Sequence, residues 1–275
     1  MRLRSETVLT LIFVLALSLG CKSFEKLTSN TTANANSNTG ASTSNSTNTM
    51  SNSTADVKPN EDGTIPSGTG TEKEKPAAGK ANVQGRAFFN EQPAVGVEVK
   101  LCKTFNQYFG GCGGDTFTAK TDDAGEYLIK NVPPGVYEGL TVRVFNTPYY
   151  VFATSGIMSA AKYDIAADKT YFAPDSHLFK NDVKLVNPKA GAKIAADGIE
   201  VKWEPYPDAA YYKFSIHPEG GGEANYDYIN KRVDETSFVL DKPLTAGAYR
   251  ITVTAFNAND RKLAQSADDI KFTVR

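Results

Sequence analysis

With 275 residues, 40% hydrophobic and 11% aromatic, the chain carries enough apolar surface for two modest domains with cores of their own. A formal charge of -1 gives no electrostatic basis for holding nucleic acid, which calls for a basic face. Two histidines and three cysteines leave few ligands for a metal and few partners for a nucleophile-base pair, so an enzyme is disfavoured.

Arg2 and Arg4 precede a largely apolar run from Val8 to Leu19, closed by Gly20 and Cys21. The pattern predicts a secretory signal over residues 1–20. A run of about 12 residues, broken by Thr10 and Ser18, is shorter than the ~20 a spanning helix needs, and no later stretch approaches that length. No transmembrane helix is therefore expected in the mature chain. The "SLGC" junction resembles the cleavage site of bacterial lipoproteins, with Ser18 where leucine is commonest. That resemblance implies lipid on Cys21 and a membrane partner through it. Lys22 and Ser23 stand where an aspartate would retain such a protein in the inner membrane, which makes the outer membrane the expected location in a Gram-negative source.

Residues 21–81 are expected to be a disordered tether. From Thr28 to Thr54, 22 of 27 residues are Ser, Thr or Asn, too little apolar area to offset the entropy of ordering. The continuation "VKPNEDGTIPSGTGTEKEKPAAGK" has no apolar period. As a flexible coil between Cys21 and Asn82 the tether would span roughly 40 Å.

A first folded segment is expected over 82–182. Short alternating runs, "NVQGRAFFN", "VGVEVKLCKT", "DTFTAKTD", "EYLIKNV", "GVYEGLTVRVF", "YYVFAT" and "KYDIAAD", are separated by turn residues and predict an antiparallel β-sandwich. In "VEVKLC" the alternation sends Val97, Val99 and Leu101 inward and leaves Cys102 on the other face, a poor candidate for the core. Cys102 and Cys112 bracket a short glycine-ended loop, and with Cys21 taken by lipid a disulfide is the economical use of the remaining pair. Closing about 11 residues should contribute on the order of 2 to 3 kcal/mol.

In "TDDAGEYLIKNVPPGVYEG" the question is whether Asp122, Asp123 and Glu126 make an acidic site or only a turn. Asp side chains cap turn amides, and the spacing lacks the pattern of a calcium loop, so two hairpin turns are expected, the second a type II turn centred on Pro134-Gly135. Tyr137 falls on the opposite parity to Leu140, Val142 and Val144, so a bulge near Gly139 is needed to bury both sets. "PAVGVEVKL" followed by this stretch resembles the carboxypeptidase regulatory-like family, a transthyretin-like β-sandwich, over about 100 residues. The resemblance implies a seven-stranded accessory domain without peptidase activity. B-type repeats of collagen-binding adhesins use a similar turn, but "VQGRAFF" lacks the lysine their internal isopeptide bond would need.

The second folded segment is expected over 183–275. Ile199, Val201 and Trp203 share a face, as do Tyr212, Phe214 and Ile216, then Tyr249, Ile251 and Val253, and last Ile270, Phe272 and Val274. "VKWEP", "AYYKFSI" and "LTAGAYRITVTAFN" resemble a fibronectin type III or immunoglobulin-like domain, with Leu244, Gly247 and Tyr249 at its tyrosine corner.

The fold class expected is thus all-β, two tandem antiparallel β-sandwich domains behind a signal peptide and tether. His177 and His217 lie in different segments with no visible partner, and the glycines at 220–222 lack a phosphate-loop context. No catalytic residue, metal or cofactor is expected. Tyr149, Tyr150, Tyr211, Tyr226 and Tyr228 are the ligand-binding candidates, because tyrosines left at the surface can stack on sugar rings or make a protein contact. The function expected is a non-enzymatic, lipid-anchored envelope protein that binds or scaffolds another protein. The alternative is a carbohydrate-binding surface lipoprotein.

Overall fold

Period-two alternation of aliphatic and aromatic residues with polar ones becomes strand after strand. In the computed structural model, which describes residues 57–275 apart from 109–110, 156–158, 221–225 and 268–269, no α-helix forms among the described residues. The signal stretch, Cys21 and the Ser/Thr/Asn-rich run lie outside the described residues, as does the side chain of Tyr226. The fold is all-β, built of several sheets paired mostly antiparallel.

The first part comprises β1 (Ala81–Phe89), β2 (Gln92–Pro93), β3 (Glu98–Asn106), β4 (Gly111–Lys120), β5 (Glu126–Val132), β6 (Gly135–Glu138), β7 (Leu140–Arg143), β8 (Tyr150–Phe152), β9 (Lys162–Ile165), β10 (Thr170–Phe172) and β11 (Ser176–His177). β1 centres one sheet, with β5 and β2 antiparallel to it and β10 and β11 parallel. A second sheet runs β4-β3-β7-β8, and β6 pairs with β9. Between them lies a core that includes Val83, Val99, Leu101, Ile129, Ile165 and the large rings of Tyr127, Tyr137, Tyr163 and Tyr171.

Gly139 explains how Tyr137 and Leu140 are both buried. The chain leaves the β6–β9 pair there and joins β3 as β7, so consecutive strands belong to different sheets. Gly139 takes φ +81°, and a Cβ on it would meet the Phe105 ring at 2.5 Å, so only glycine fits. The bulge expected near this residue is replaced by a change of sheet, which buries both sets by another route.

Two other expectations need correction. Neither acid turn nor Pro-Gly turn closes a hairpin: β4 pairs with β3 and β5 with β1, so 121–125 crosses between sheets, and 133–134 does the same from β5 to β6. Gly135 has φ +138°, well beyond the +80° of a type II turn, and Asn131 at +59° begins the reversal. Cys102, expected on an outer face, is fully buried. The register of β3 against β4 shifts between Cys102 and Thr104, and the sheet-changing segment covers the site, with the Cys102 N–H donating to Gly139 O at 3.0 Å.

The segment from 57 to 80 is also more than featureless tether. Ile65 is 1% exposed and part of the first core, and Thr64 bridges to Lys162 of β9. An isolated isoleucine in a polar run carries no periodic signal, so alternation could not reveal it.

The second part comprises β12 (Leu185–Asn187), β13 (Lys193–Ile194), β14 (Glu200–Trp203), β15 (Tyr211–Pro218), a 3-10 turn (Tyr226–Tyr228), β16 (Lys231–Val233), β17 (Ser237–Val239), β18 (Gly247–Phe256), β19 (Lys262–Gln265) and β20 (Lys271–Val274). One sheet is β12-β14-β17; the other runs β13-β20-β18-β15-β16, with β19 also on β18. Trp203 is 1% exposed, its ring centroid 5.3 Å from that of Tyr212 and 6.3 Å from that of Phe214. The Tyr249 hydroxyl donates to Thr245 O at 2.9 Å, the hydrogen bond of a tyrosine corner.

Between the two cores the chain runs only from Phe179 to Val183, and it pairs as it goes. Lys180 N–H donates to Leu263 O at 3.0 Å and Lys180 O accepts from Gln265 N–H at 2.8 Å. The Lys180 ammonium sits 4.7 Å from the centre of the Phe89 ring. The β1–β2 turn presses on the other side. Asn90 and Glu91 both have positive φ, a type I′ turn that asparagine tolerates, and Asn90 donates to Asp208 at 2.9 Å and accepts from Asn257 at 3.0 Å. Glu91 faces Arg261 at 3.5 Å.

Candidate functional site

The acidic turn is assembled from its own amides. Asp122 Oδ1 accepts from the N–H groups of Ala124 at 3.0 Å and Glu126 at 2.9 Å, and Gly125 N–H donates to Asp122 O at 2.9 Å. Thr121 is buried beneath, its hydroxyl donating to Ala94 O at 2.5 Å and accepting from Val97 N–H at 3.0 Å. The Lys73 ammonium lies between the carboxylates of Asp122 and Glu126, 2.6 Å from each. That ammonium, followed by the Glu126 amide, holds the Asp122 carboxyl below the usual carboxylate range, and the two acids raise Lys73 in return. Asp122 and Glu126 thus shape a crossover and hold a lysine, which is a structural role. Among the described residues no group of three or more His, Cys, Asp and Glu side chains gathers in a way that would suit a metal.

Cys102 and Cys112 are joined in a disulfide across the β3–β4 hairpin. At the tip of that hairpin a cleft of about 380 Å³ opens against the β6–β9 pair. Phe105 is on its lining, with Asn106, Gln107 and Tyr108 from the hairpin and the cross-strand neighbours Glu138 and Lys162 from the other side. Tyr108 is 45% exposed. The lining combines aromatic, amide, carboxylate and ammonium groups.

The five tyrosines singled out from sequence do not come together. Tyr149 is 42% exposed beside the β7–β8 turn, and Tyr150 is half-buried with the Lys100 ammonium 5.9 Å from its ring centre. Tyr226 has no described side chain. Tyr211 and Tyr228, expected near the surface, are corrected to buried residues. Tyr211 stacks on Phe256 with centroids 5.0 Å apart, the Arg232 guanidinium lies 3.8 Å over its ring, and its hydroxyl donates to Asp260 at 2.9 Å. Neither face is left for a sugar. Burial, then the bond to Asp260, pushes its hydroxyl up to about 12. Tyr228 is fully buried beside Phe214, its hydroxyl donating to Asp241 at 2.7 Å and accepting from Lys242 N–H at 2.7 Å. Its hydroxyl too is pushed up to about 12, first by burial.

His177 stacks on Phe88 with centroids 5.7 Å apart. His217 is half-buried opposite Arg250 on β18, and desolvation, then that guanidinium, lowers its pKa.

No family model matches the chain, and no curated protein matches it. Solved structures do. The fibronectin(III)-like modules of CbhA from Clostridium thermocellum are 14% identical, covering 34% of this chain and 94% of theirs, with a TM-score of 0.25. The FN1-FN3 domains of chicken CNTN1 are 17% identical over 74% of this chain and 69% of theirs, with a TM-score of 0.26. A two-domain fibronectin type III segment of chicken tenascin is 13% identical over 70% of this chain and 92% of its own, with a TM-score of 0.24.

Two features escaped the sequence reading. Tyr108 was legible in principle, since it lies in the Cys102–Cys112 loop, whose closure must present whatever side chains it holds. Lys73 was not, because nothing local connects it to acids some fifty positions downstream.

Proposed function

We propose that the protein is a non-enzymatic, lipid-anchored component of the cell envelope that displays its two sandwiches to bind or scaffold another protein. The observation that carries this reading is the junction. A linker that pairs with β19, two aromatic-ammonium contacts and the Asn90 turn wedged between Asp208 and Asn257 hold the two cores in one arrangement. Separate sandwiches move freely unless their interface restrains them, and a restrained pair presents surfaces at fixed spacing. In this proposal the first sandwich is a carboxypeptidase regulatory-like accessory domain and the second a fibronectin type III-like one; the Tyr249–Thr245 bond supports the latter assignment. Cys21 supplies the anchor, and the outer membrane is the proposed location.

A second reading, carbohydrate binding, would rest on the cleft that Tyr108 helps to line rather than on the tyrosines first singled out. One experiment separates the two. A photo-crosslinking residue is placed at Val239, 59% exposed on β17, or at Tyr149, and the same chain is applied to a glycan array. Discrete protein adducts in envelope preparations with a silent array support scaffolding. An array signal that Tyr108→Ala removes, without adducts, overturns it in favour of sugar. For the anchor, Cys21→Ala should move the protein out of the membrane fraction, and unchanged fractionation would refute lipidation.

A further inference from the structure

We propose that the face of the first sandwich bordered by β9, β10, β1 and β5 is a strand-accepting site, and that residues 63–74 are its resident peptide, a separable strap that fixes where the leading segment of the chain attaches. The inference goes beyond the display reading and does not depend on lipid at Cys21.

The contacts have the form of a bound extended peptide, in which main-chain hydrogen bonds give affinity and a pocket gives selectivity. Ile65 N–H donates to Lys162 O at 2.8 Å and Gly63 O accepts from Lys162 N–H at 2.9 Å, so the segment runs parallel to β9 along its free edge. Further on it changes partner to β10: Gly68 N–H donates to Phe172 O at 2.8 Å and Ser67 Oγ accepts from Phe172 N–H at 3.0 Å. Gln84 on β1 then grips the strap's backbone with both ends of its amide, donating to Thr71 O at 3.1 Å and accepting from Lys73 N–H at 3.0 Å.

Side chains anchor it at three points. Ile65 fills the pocket, and its carbonyl accepts from the Tyr171 hydroxyl at 2.7 Å. The Phe172 ring occupies the place of a side chain at position 70, where a Cβ would fall 2.6 Å from Cδ1, so the strap has glycine there. Lys73 reaches the carboxylates of Asp122 and Glu126, and Glu74 pairs with Lys130. Residues 66–74 themselves form no strand and expose almost all their length, so the strap is ordered by the surface it lies on. The chemistry the site selects is an extended peptide with one aliphatic residue, a glycine against an aromatic ring, and a lysine at its far end. Held in this way, the strap first meets the body at Gly63–Ile65, on the edge of β9.

The test uses the full chain with a site-specific protease sequence inserted between Ala77 and Ala78. After cleavage the leading fragment should co-elute with the sandwiches at micromolar concentration. Ile65→Asp should weaken its retention at least tenfold, and Lys73→Met should weaken it less. A labelled peptide of residues 60–76 should exchange into the cut protein, with Trp203 emission and β1 amide exchange verifying that both sandwiches stay folded. Immediate separation of the wild-type fragment, indifference to Ile65→Asp, or unfolding on cleavage would each overturn the separable strap.

Discussion

The two sandwiches solve the same packing problem by different means. The second turns on one long, unbroken pair: β15 and β18 stay in register from Tyr211↔Phe256 to Pro218↔Tyr249, and its core gathers around Trp203 and Phe214. The first has strands as long, β1, β3 and β4, but its chain changes sheets at 121–125, 133–134 and Gly139, and it is closed by pieces from outside the alternating pattern, the disulfide and the Ile65 strap. Yet both use one device at a sheet-changing corner. Tyr137 donates to Pro133 O at 2.9 Å and Tyr249 to Thr245 O at 2.9 Å, in each case to a carbonyl four residues upstream. The second is fastened by pairings within its own sheets, whereas the first is fastened also by pieces from outside them.

That contrast can be broken most forcefully in the second core. Phe214→Ala should cost about 3 to 5 kcal/mol, as deletion of a buried ring does. Trp203, the chain's one tryptophan, gives the readout: its emission midpoint in urea should fall while amide exchange in β1 and β5 holds. Equal loss in both places would mean that the junction makes the pair a single cooperative unit. Next in size, replacing Cys102 and Cys112 by serine should remove on the order of 2 to 3 kcal/mol from the first sandwich and leave the Trp203 transition in place.

Tyr137→Phe and Tyr249→Phe sharpen the likeness. Each should cost about 1 kcal/mol, the net worth of one hydrogen bond, measured by denaturant midpoint. A cost at Tyr249 with none at Tyr137 would show that the two corners are not equivalent. The smallest effect belongs to Lys73→Met, under about 1 kcal/mol near neutrality because the pairs with Asp122 and Glu126 are partly exposed. Its pH dependence is the more telling measurement. Asp122 is held below its unfolded value of 3.8, so its contribution is present above that value and fades as pH falls through the lower folded one. In Lys73→Met this acid-side loss should shrink, and an unchanged acid profile would refute the Lys73 contribution.

Much of the strand content was legible because it rests on nearest neighbours. Val201 and Trp203, Phe214 and Ile216, Ile251 and Val253 all face the core that their parity assigned them. Parity failed at Cys102, where a register shift and an overlying crossover bury a residue on the unexpected side. It also could not rank surface tyrosines. Tyr211 and Tyr228 look like any alternating or loop-borne tyrosine until Arg232, Phe256, Asp260 and Asp241 arrive from distant positions to enclose them. The candidate cleft was hidden for the same reason, since its lining comes from the β3–β4 hairpin and the β6–β9 pair, which belong to different sheets.

By itself, then, the sequence determined the all-β class, most of the residues that alternate inward, and the need for Tyr137 and Leu140 to be buried by some irregularity near Gly139. Periodicity, turn propensity and steric limits act over a few residues and are written in order along the chain. The tertiary structure alone decided which sheet each strand joins, that the acids of "TDDAGEY" hold Lys73, and that Ile65 belongs to the core. Those outcomes depend on groups far apart in sequence, whose burial and pairing exist only once both sides of each contact have been brought together.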